Sequence, residues 1–325
     1  MSTNPNPPKL KVAKYWAASC GGCDISLLEI GPNLLELIKI ADVVFWPCAA
    51  DFKYEHVRNY PDGFIDLCFY NGGIRNSEQE EVARLLRQKS KSLIAYGQCA
   101  VDGGIPALAN LKTVKGIYNA SYHDNPSIDN PGGVEPQPVT PSECGDLEIP
   151  KFYPQVLRLK DVVPVDYEIP GCPPQADRVW EAILALAGGQ VPLQNRNVKV
   201  ACYDKAVCDE CKLEKRQVRI KEFKRVHTSI PEPGWCLLEQ GYLCVGPATR
   251  SGCGALCPAA GMPCEGCYGP AGDVTDQGTA MVSAIASMLD ARTEEQAQAM
   301  IAQIADPTGT FYRFTLASSH LKARK

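Results

Sequence analysis

The stretch KVAKYWAASCGGC, residues 11–23, joins a short apolar run to a pair of cysteines. Residues 11–19 have the composition of a buried strand, and Cys20 and Cys23 follow where such a strand would end. Further apolar runs of this kind lie downstream, at 42–48, 65–70, 92–96 and 165–169. Each run is bounded by polar or turn-forming residues, which is typical of buried parallel strands.

Helical patterns separate these runs. Residues 78–89 carry apolar side chains at helical spacing, and Ser77 with Glu80 predicts a capping box at the start. Residues 175–187 predict a second helix, and residues 24–38 a helix broken by an internal Gly-Pro pair. The alternation of strands and helices predicts an α/β domain with a doubly wound, mostly parallel sheet of flavodoxin type.

Cysteines follow three of the predicted strands. Cys20 and Cys23 (SCGGC) follow the first strand, Cys99 (YGQCA) the fourth and Cys172 (IPGCPP) the fifth. Because an open α/β sheet binds its ligands outside the carboxyl ends of the strands, we expect these four thiols to meet at one edge. The alternative is a thioredoxin-like dithiol made by Cys20 and Cys23 alone, with its thiolate stabilised at a helix N-terminus.

Regular patterns fade in the second half, where cysteines become frequent. The segment contains Cys208, Cys211, Cys236, Cys244, Cys253, Cys257, Cys264 and Cys267. A segment so rich in cysteine, glycine and proline needs metals to hold it together, which predicts a loop-rich domain with little regular structure. Structural zinc remains an alternative here, because CxxC pairs also suit tetrahedral zinc.

The remaining four cysteines lie outside these motifs. Cys48 and Cys68 are predicted to lie within strands, and Cys144 and Cys202 in loop-like sequence. We interpret all four as ordinary thiols, since free cysteine often packs as a small hydrophobic residue.

Composition narrows the classes of function. The chain of 325 residues has sixteen cysteines and no visible export signal, which predicts a cytoplasmic protein without disulfides. Its thiols are then expected to bind metal, to act in catalysis or to be buried. Four histidines are too few for mixed or all-histidine centres, so sulfur-only sites are favoured. The net charge of −4 and the absence of a long apolar run predict neither a nucleic-acid partner nor a transmembrane segment.

Other segments of the chain carry weaker signals. Residues 120–164 predict a long loop rich in proline and glycine, and residues 278–290 and 293–305 predict helices. Residues 212–225 are mostly basic, which is typical either of a solvated face or of a docking surface for an acidic electron partner.

From about residue 10 to residue 290, these motifs resemble the small subunit of nickel–iron hydrogenases. SCGGC, YGQCA and IPGCPP match, in order, the ligands of the family's proximal cluster. The resemblance implies that one 4Fe-4S cluster is held by Cys20, Cys23, Cys99 and Cys172. The strand-end motifs also occur in the related quinone-reductase subunit of respiratory complex I, and the eight-cysteine second half is what distinguishes the hydrogenases.

The resemblance implies two further clusters in the second half. The distal set is Cys208, Cys211, Cys236 and Cys244. The medial set is Cys253, Cys257, Cys264 and Cys267. Cys208 stands where the exported branch of the family has a histidine, and Cys257 adds a fourth thiol to a cluster that is usually 3Fe-4S there. The resemblance therefore implies three 4Fe-4S clusters, bound to iron through twelve cysteines.

An all-cysteine chain of this kind is similar to cytoplasmic hydrogenases, especially the methyl-viologen-reducing kind that works with heterodisulfide reductase. The implied function is electron relay from a nickel–iron large subunit to a flavin- or iron–sulfur-containing partner, such as a subunit of a heterodisulfide reductase complex. No motif for nickel occurs in the chain itself, so we expect no catalytic residue here and a nickel site only in the large subunit.

The predicted domains are a flavodoxin-like domain at 1–190 with the proximal cluster, a two-cluster iron–sulfur domain at 191–292, and a C-terminal extension at 293–325. Three alternative functions remain open at this point. They are a CxxC disulfide oxidoreductase with structural zinc, a complex-I-like quinone reductase module, and a non-catalytic scaffold built on zinc.

Overall fold

The computed structural model describes residues 8–188 and 197–321, and the predicted boundary between residues 190 and 191 lies outside them. The strands are β1 Leu10–Trp16, β2 Ala41–Phe45, β3 Ile65–Asn71, β4 Ile74–Asn76, β5 Ser90–Tyr96, β6 Val139–Ser142, β7 Gly145–Glu148, β8 Phe152–Leu157, β9 Tyr167–Ile169, β10 Val198–Lys199, β11 Tyr203–Ala206 and β12 Arg250–Ser251. The α-helices are α1 Gly22–Leu28, α2 Asn33–Ile40, α3 Tyr54–Asn59, α4 Ser77–Lys89, α5 Gln98–Asp102, α6 Val114–Tyr118, α7 Ala176–Ala187, α8 Val207–Glu210, α9 Leu256–Ala259, α10 Gln277–Met288, α11 Glu294–Ile301 and α12 Pro307–Phe311.

Six strands form one sheet in the spatial order β2-β1-β3-β5-β9-β10. Every neighbouring pair in this sheet is parallel. The order reverses direction between β1 and β3, which is the switch point of flavodoxin-like sheets and the usual position of their ligands. The predicted doubly wound sheet of flavodoxin type is therefore confirmed.

Helices cover both faces of the sheet because the strands present apolar side chains to both sides. On one face, Tyr15 of β1 and Tyr70 of β3 pack in one cluster with Leu86 of α4. On the other face, Phe69 of β3 packs in a second cluster with Ile183 of α7. Neighbouring residues of one strand thus point to opposite layers, as the two-residue period of a strand requires.

The start of α4 differs from the sequence prediction. Asn76, not Ser77, is the capping residue, because its side chain accepts a hydrogen bond from the Gln79 backbone and the Gln79 side chain bonds back. The predicted pairing of Ser77 with Glu80 is wrong. The Ser77 hydroxyl instead accepts a hydrogen bond of 2.9 Å from the Lys151 backbone, which ties the helix start to the chain before β8.

The other predictions for the first half have mixed outcomes. The broken helix over 24–38 is confirmed as α1 and α2, with Gly31 between them at φ +60°. Cys48 lies in a turn beyond the end of β2, so its predicted place within a strand is wrong, whereas Cys68 does lie within β3. The predicted loop at 120–164 contains the hairpin β6–β7 and the strand β8.

Short elements in the second half pack around one apolar cluster. Leu238, Met281 and Ile285 belong to this cluster, and so do Phe311 and Leu316 from the C-terminal extension. The helix predicted at 278–290 is confirmed as α10. The helix predicted at 293–305 is present but shorter, because α11 ends at Ile301 and a separate helix, α12, begins at Pro307.

No α-helix within residues 8–188 and 197–321 combines the length and the apolar character needed to cross a bilayer.

Leu316→Ala should destabilise the second half, because the Leu316 side chain is only 2% exposed within the apolar cluster. We expect a cost of about 2–5 kcal/mol, as for other leucine truncations in a packed core. Leu321→Ala is the matched control: Leu321 is 49% exposed, and the cost should stay within about 0.5 kcal/mol. Anaerobic thermal unfolding followed by circular dichroism measures both, and equal midpoints for the two variants would contradict the packing.

Candidate metal centres

Four cysteines from three strand ends meet at the carboxyl edge of the sheet. Cys20 and Cys23 follow β1, Cys99 lies in α5 after β5, and Cys172 follows β9. Burial raises the pKa of the Cys23 thiol; the Lys14 ammonium opposes this rise, and the thiols of Cys99, Cys172 and Cys20 add to it. The structure therefore brings together all four sulfurs that the sequence predicted, within electrostatic range of one another. We call them the switch-point set.

Backbone hydrogen bonds fix the loops that carry this set. The Gly97 N–H donates to the Ile169 carbonyl and the Gln98 N–H to the Gly171 carbonyl, each at 2.8 Å, so the loops after β5 and β9 are held together. Gly97 has φ +84°, and a Cβ built there would overlap the sulfur of Cys23. Glycine at this position is thus required by both the backbone conformation and the closeness of the thiol.

Burial raises the pKa of three thiols of the switch-point set, Cys23, Cys99 and Cys172. Burial, with the nearby thiols of Cys172 and Cys20, raises the pKa of Cys99 to about 12. Burial, with the charges of Cys20 and Glu265, raises the pKa of Cys172 to about 11. Thiols of this kind ionise when a positive charge binds among them, and bound metal ions supply such a charge.

A second group of four thiols lines a cavity of about 260 Å³ in the second half. Its members are Cys208, Cys211, Cys236 and Cys244. Burial and the neighbouring Cys244 thiol raise the pKa of Cys208 to about 12. A Cβ at Gly246 would lie 3.4 Å from the Cys208 sulfur and 3.5 Å from that of Cys244. We call these residues the cavity set.

The third group consists of Cys253, Cys257, Cys264 and Cys267. Burial raises the pKa of Cys267 to about 12, and the thiols of Cys253 and Cys257 contribute to the rise. Burial also raises the pKa of Cys264, with contributions from Cys244 of the cavity set and then from Cys267. These couplings place the four sulfurs near one another, and we call them the bridging set.

The bridging set contacts both other sets. A backbone hydrogen bond from Cys172 lowers the pKa of Cys267, so this thiol touches the loop of the switch-point set. On the other side, the Cys264 N–H donates to the Cys244 sulfur at 3.3 Å. The three sets thus lie in series, with the bridging set between the other two.

Glu210 is a residue that the sequence interpretation missed. Its carboxylate accepts hydrogen bonds of 3.0 Å from the Gly252 and Gly254 N–H groups, on either side of Cys253. Glu210 is adjacent to Cys211 in the chain, so it links the cavity set to the bridging set. The CxxC spacing around Glu210 predicts sulfur ligands only. No pattern in the sequence indicates the distant backbone partners of its carboxylate.

The other four cysteines are not members of these sets, although Cys202 lies beside the bridging set, since a Cβ built at Gly252 would be 3.3 Å from the Cys202 Cβ. Cys48 and Cys144 are exposed, and burial raises the pKa of Cys68 to about 12 and that of Cys202 to about 11. All sixteen cysteines lie within the described residues and are free of disulfide bonds. Across 8–188 and 197–321, no three His, Cys, Asp or Glu side chains are arranged to hold a single metal ion.

The chain is similar to known proteins over most of its length. Residues 20–186 match the family described as "NADH ubiquinone oxidoreductase, 20 Kd subunit". The chain is 37% identical over 313 residues to the iron-sulfur subunit of the F420-non-reducing hydrogenase of Archaeoglobus profundus, and the match covers 94% of this chain and 96% of the relative. It is 39% identical over 307 residues to a subunit of the vhu F420-non-reducing hydrogenase of Methanocaldococcus jannaschii, covering 94% and 95%.

Among solved structures, a chain of the NiFeSe-hydrogenase of Dm. baculatum aligns with a TM-score of 0.52 at 17% identity. The alignment covers 81% of this chain and 95% of that one. At this level of identity the likeness is one of fold.

Proposed function

The chain belongs to the family of hydrogenase iron–sulfur small subunits that includes those of the F420-non-reducing hydrogenases, and on this premise we propose that it relays electrons through three 4Fe-4S clusters. The family predicted from the cysteine motifs is confirmed. As a hydrogenase small subunit, the chain is an electron-transfer component of an oxidoreductase complex and pairs with a large subunit, which carries the nickel site.

The proposed ligands follow the three sets of thiols. The proximal cluster takes the switch-point set, Cys20, Cys23, Cys99 and Cys172. The medial cluster takes the bridging set, Cys253, Cys257, Cys264 and Cys267. The distal cluster takes the cavity set, Cys208, Cys211, Cys236 and Cys244. Four thiolates per site suit 4Fe-4S clusters, which accept and release single electrons.

The serial arrangement of the thiols is the observation that carries this proposal. The Cys172 backbone N–H donates to the Cys267 sulfur, and the Cys264 N–H donates to the Cys244 sulfur at 3.3 Å. A relay requires neighbouring clusters in such an order. The chain itself supplies the thiolates, the backbone donors to sulfur and the exclusion of water, which together set the potential of a bound cluster.

The alternatives with zinc or a lone dithiol fit the geometry less well. A dithiol enzyme gives no reason for Cys99 and Cys172 to meet the CxxC pair at the edge of the sheet. A tetrahedral zinc site needs donors that converge on one ion, whereas the described residues contain no such group of three.

The second half also argues against a quinone reductase module. The matched family of the 20 Kd subunit covers residues 20–186 and so ends before the cavity set begins. The hydrogenase relatives cover 94% of the chain, including the eight cysteines of the second half. A module that transfers electrons to quinone through one cluster would have no use for those eight thiols.

The large subunit is proposed to dock beside the proximal set. Helix α2 has no fully buried residue, and Leu35 and Ile38 on it are exposed, as are Ile25 and Leu28 of the preceding helix. Cys20 is also exposed at this side of the sheet. These exposed apolar side chains, on the two helices that follow Cys20, are suited to contact with a permanent partner that receives or donates electrons.

The electron acceptor is proposed to approach the distal set. Lys215 lines the same cavity as the four distal cysteines, and it belongs to the basic segment 212–225. Positive charge near the last cluster favours encounter with an acidic partner. A flavin- or iron–sulfur-containing subunit, such as one of a heterodisulfide reductase complex, is the proposed acceptor.

Anaerobically purified protein should contain about twelve iron atoms per chain, as three 4Fe-4S clusters require. Cys99→Ala, Cys253→Ala and Cys236→Ala should each lower the iron content to about eight, because each removes a ligand of a different cluster. Cys144→Ala is the control and should retain the full content, since Cys144 is exposed in the β6–β7 turn. Iron and zinc analysis checks this, and stoichiometric zinc in place of iron would overturn the proposal.

Gly97→Ala should specifically disrupt the proximal cluster, because the added Cβ overlaps the Cys23 sulfur. Gly145→Ala is the matched control: Gly145 also has a positive φ, of +106°, but a Cβ there meets nothing within 4 Å. The expected result is a loss of about four irons from the first variant alone, the content of one cluster. Equal iron in the two variants would show that Gly97 is not needed to seat a cluster.

Leu35→Asp should weaken binding of the large subunit, because it places a charge on the exposed apolar surface of α2, where Leu35 is 63% exposed. Ile230→Asp is the control, since Ile230 is 95% exposed in the second half of the chain. In an anaerobic affinity purification through this chain, the large subunit should be lost from the first variant and retained by the second. Full retention by both variants would place the interface elsewhere.

A further inference from the structure

A lysine is buried beneath the proximal set. Lys14 lies near the carboxyl end of β1 and is only 2% exposed. Leu10 and Val12 of the same strand pack against the apolar cluster that includes Phe69, and the two-residue period places Lys14 on their side of the sheet. An apolar residue would suit this position, since a buried charge is costly unless it is paired.

The surroundings of Lys14 compensate its charge only in part. Its Nζ lies 3.7 Å from the Oδ2 atom of Asp24, and within residues 8–188 and 197–321 no acceptor lies in hydrogen-bond geometry with this Nζ. Asp24 itself is engaged elsewhere: its carboxylate accepts hydrogen bonds of 2.9 Å from the Trp46 indole and 3.0 Å from the Asn71 amide. The ammonium therefore retains N–H groups that can interact with a further anion.

The same contacts hold the ammonium close to a cluster ligand. Lys14 Nζ lies 4.4 Å from the centroid of the Tyr96 ring. The Tyr96 hydroxyl is 2.8 Å from the Ser26 hydroxyl, which donates to the Cys23 carbonyl at 3.1 Å. Lys14 is thus fixed by the ring and the helix that also position Cys23.

The charge of Lys14 also acts on the Cys23 thiol. Burial raises the pKa of that thiol, and the Lys14 ammonium is the largest influence that lowers it. The pKa of Lys14 is lowered, because burial outweighs the opposing influence of Asp24, Cys23 and Cys48. An anionic cluster at Cys23 would add to the groups that favour the charged form of this lysine.

We propose that the buried Lys14 ammonium raises the reduction potential of the proximal cluster, by stabilising the more negative state that the cluster has after it gains one electron. This inference rests on the proposed function. In the step concerned, the cluster is reduced by one electron from hydrogen oxidation in the large subunit, no bond forms or breaks in this chain, and Lys14 keeps its proton. The negative charge of Asp24 opposes this rise in potential. The hydrogen bonds that Asp24 accepts from Trp46 and Asn71 partly offset that charge, so the opposition is incomplete.

The test is a redox titration of the purified hydrogenase complex, followed by electron paramagnetic resonance. Lys14→Met removes the charge and keeps an unbranched side chain. It should lower the potential of the proximal cluster alone, with at least a tenfold fall in the ratio of reduced to oxidised cluster at a fixed potential. For a one-electron couple, tenfold corresponds to about 59 mV. Asp24→Asn should shift the same cluster in the opposite direction.

Lys9→Met is the matched control. Lys9 also pairs with an aspartate, Asp42, at 3.1 Å, but both side chains are exposed at the far end of β1. This variant should leave all potentials unchanged. The proximal signal is identified as the one that disappears in Cys99→Ala.

The outcomes distinguish the proposed role of Lys14 from the proposed electron relay. An unchanged proximal potential in Lys14→Met, or an equal shift of all clusters, overturns the role of Lys14 and leaves the relay intact. If Lys14→Met loses its proximal iron, Asp24→Asn decides: a rise in the proximal potential supports the inference, and no rise overturns it. If the unsubstituted complex has no signal that depends on Cys99, the proposed function fails and the inference fails with it.

Discussion

The convergence of the carboxyl ends of parallel strands is the constraint on which the site depends. β1, β5 and β9 run in the same direction, so the loops that follow them emerge at one edge of the sheet. Four cysteines far apart in the chain are neighbours only because of this arrangement. The reversal of strand order between β1 and β3 opens the crevice in which they meet, as in other sheets of this type.

Contacts with the first half of the chain fix where the second half places its two sets of thiols relative to the switch-point set. The Gln175 N–H, just before α7, donates to the Tyr268 hydroxyl at 2.9 Å, next to the contact between Cys172 and Cys267. Short elements here bury an apolar cluster that includes residues of α10, α12 and the C-terminal extension. The extension therefore contributes to the packing around the bridging and cavity sets.

The sequence predicted the features that follow from local periodicity and missed those that depend on distant partners. The strands, the broken helix and the thiols at the strand ends could be predicted, because apolar runs and CxxC pairs are local patterns. Asn76 is the cap in place of Ser77, whose hydroxyl accepts a hydrogen bond from the Lys151 backbone before β8. The carboxylate of Glu210 acts on backbone groups 42 residues away, which no spacing reveals. Lys14 did leave a local signal, a charge at an inward position of an apolar strand.

The central claim is that iron, and not a set of single ions, occupies the three sets of thiols. Anomalous diffraction at the iron absorption edge, from anaerobically grown crystals of the complex, tests it most directly. The account predicts three compact iron peaks, one enclosed by the switch-point set, one by the bridging set and one by the cavity set. An empty switch-point crevice, or peaks that appear only at the zinc edge, would contradict it.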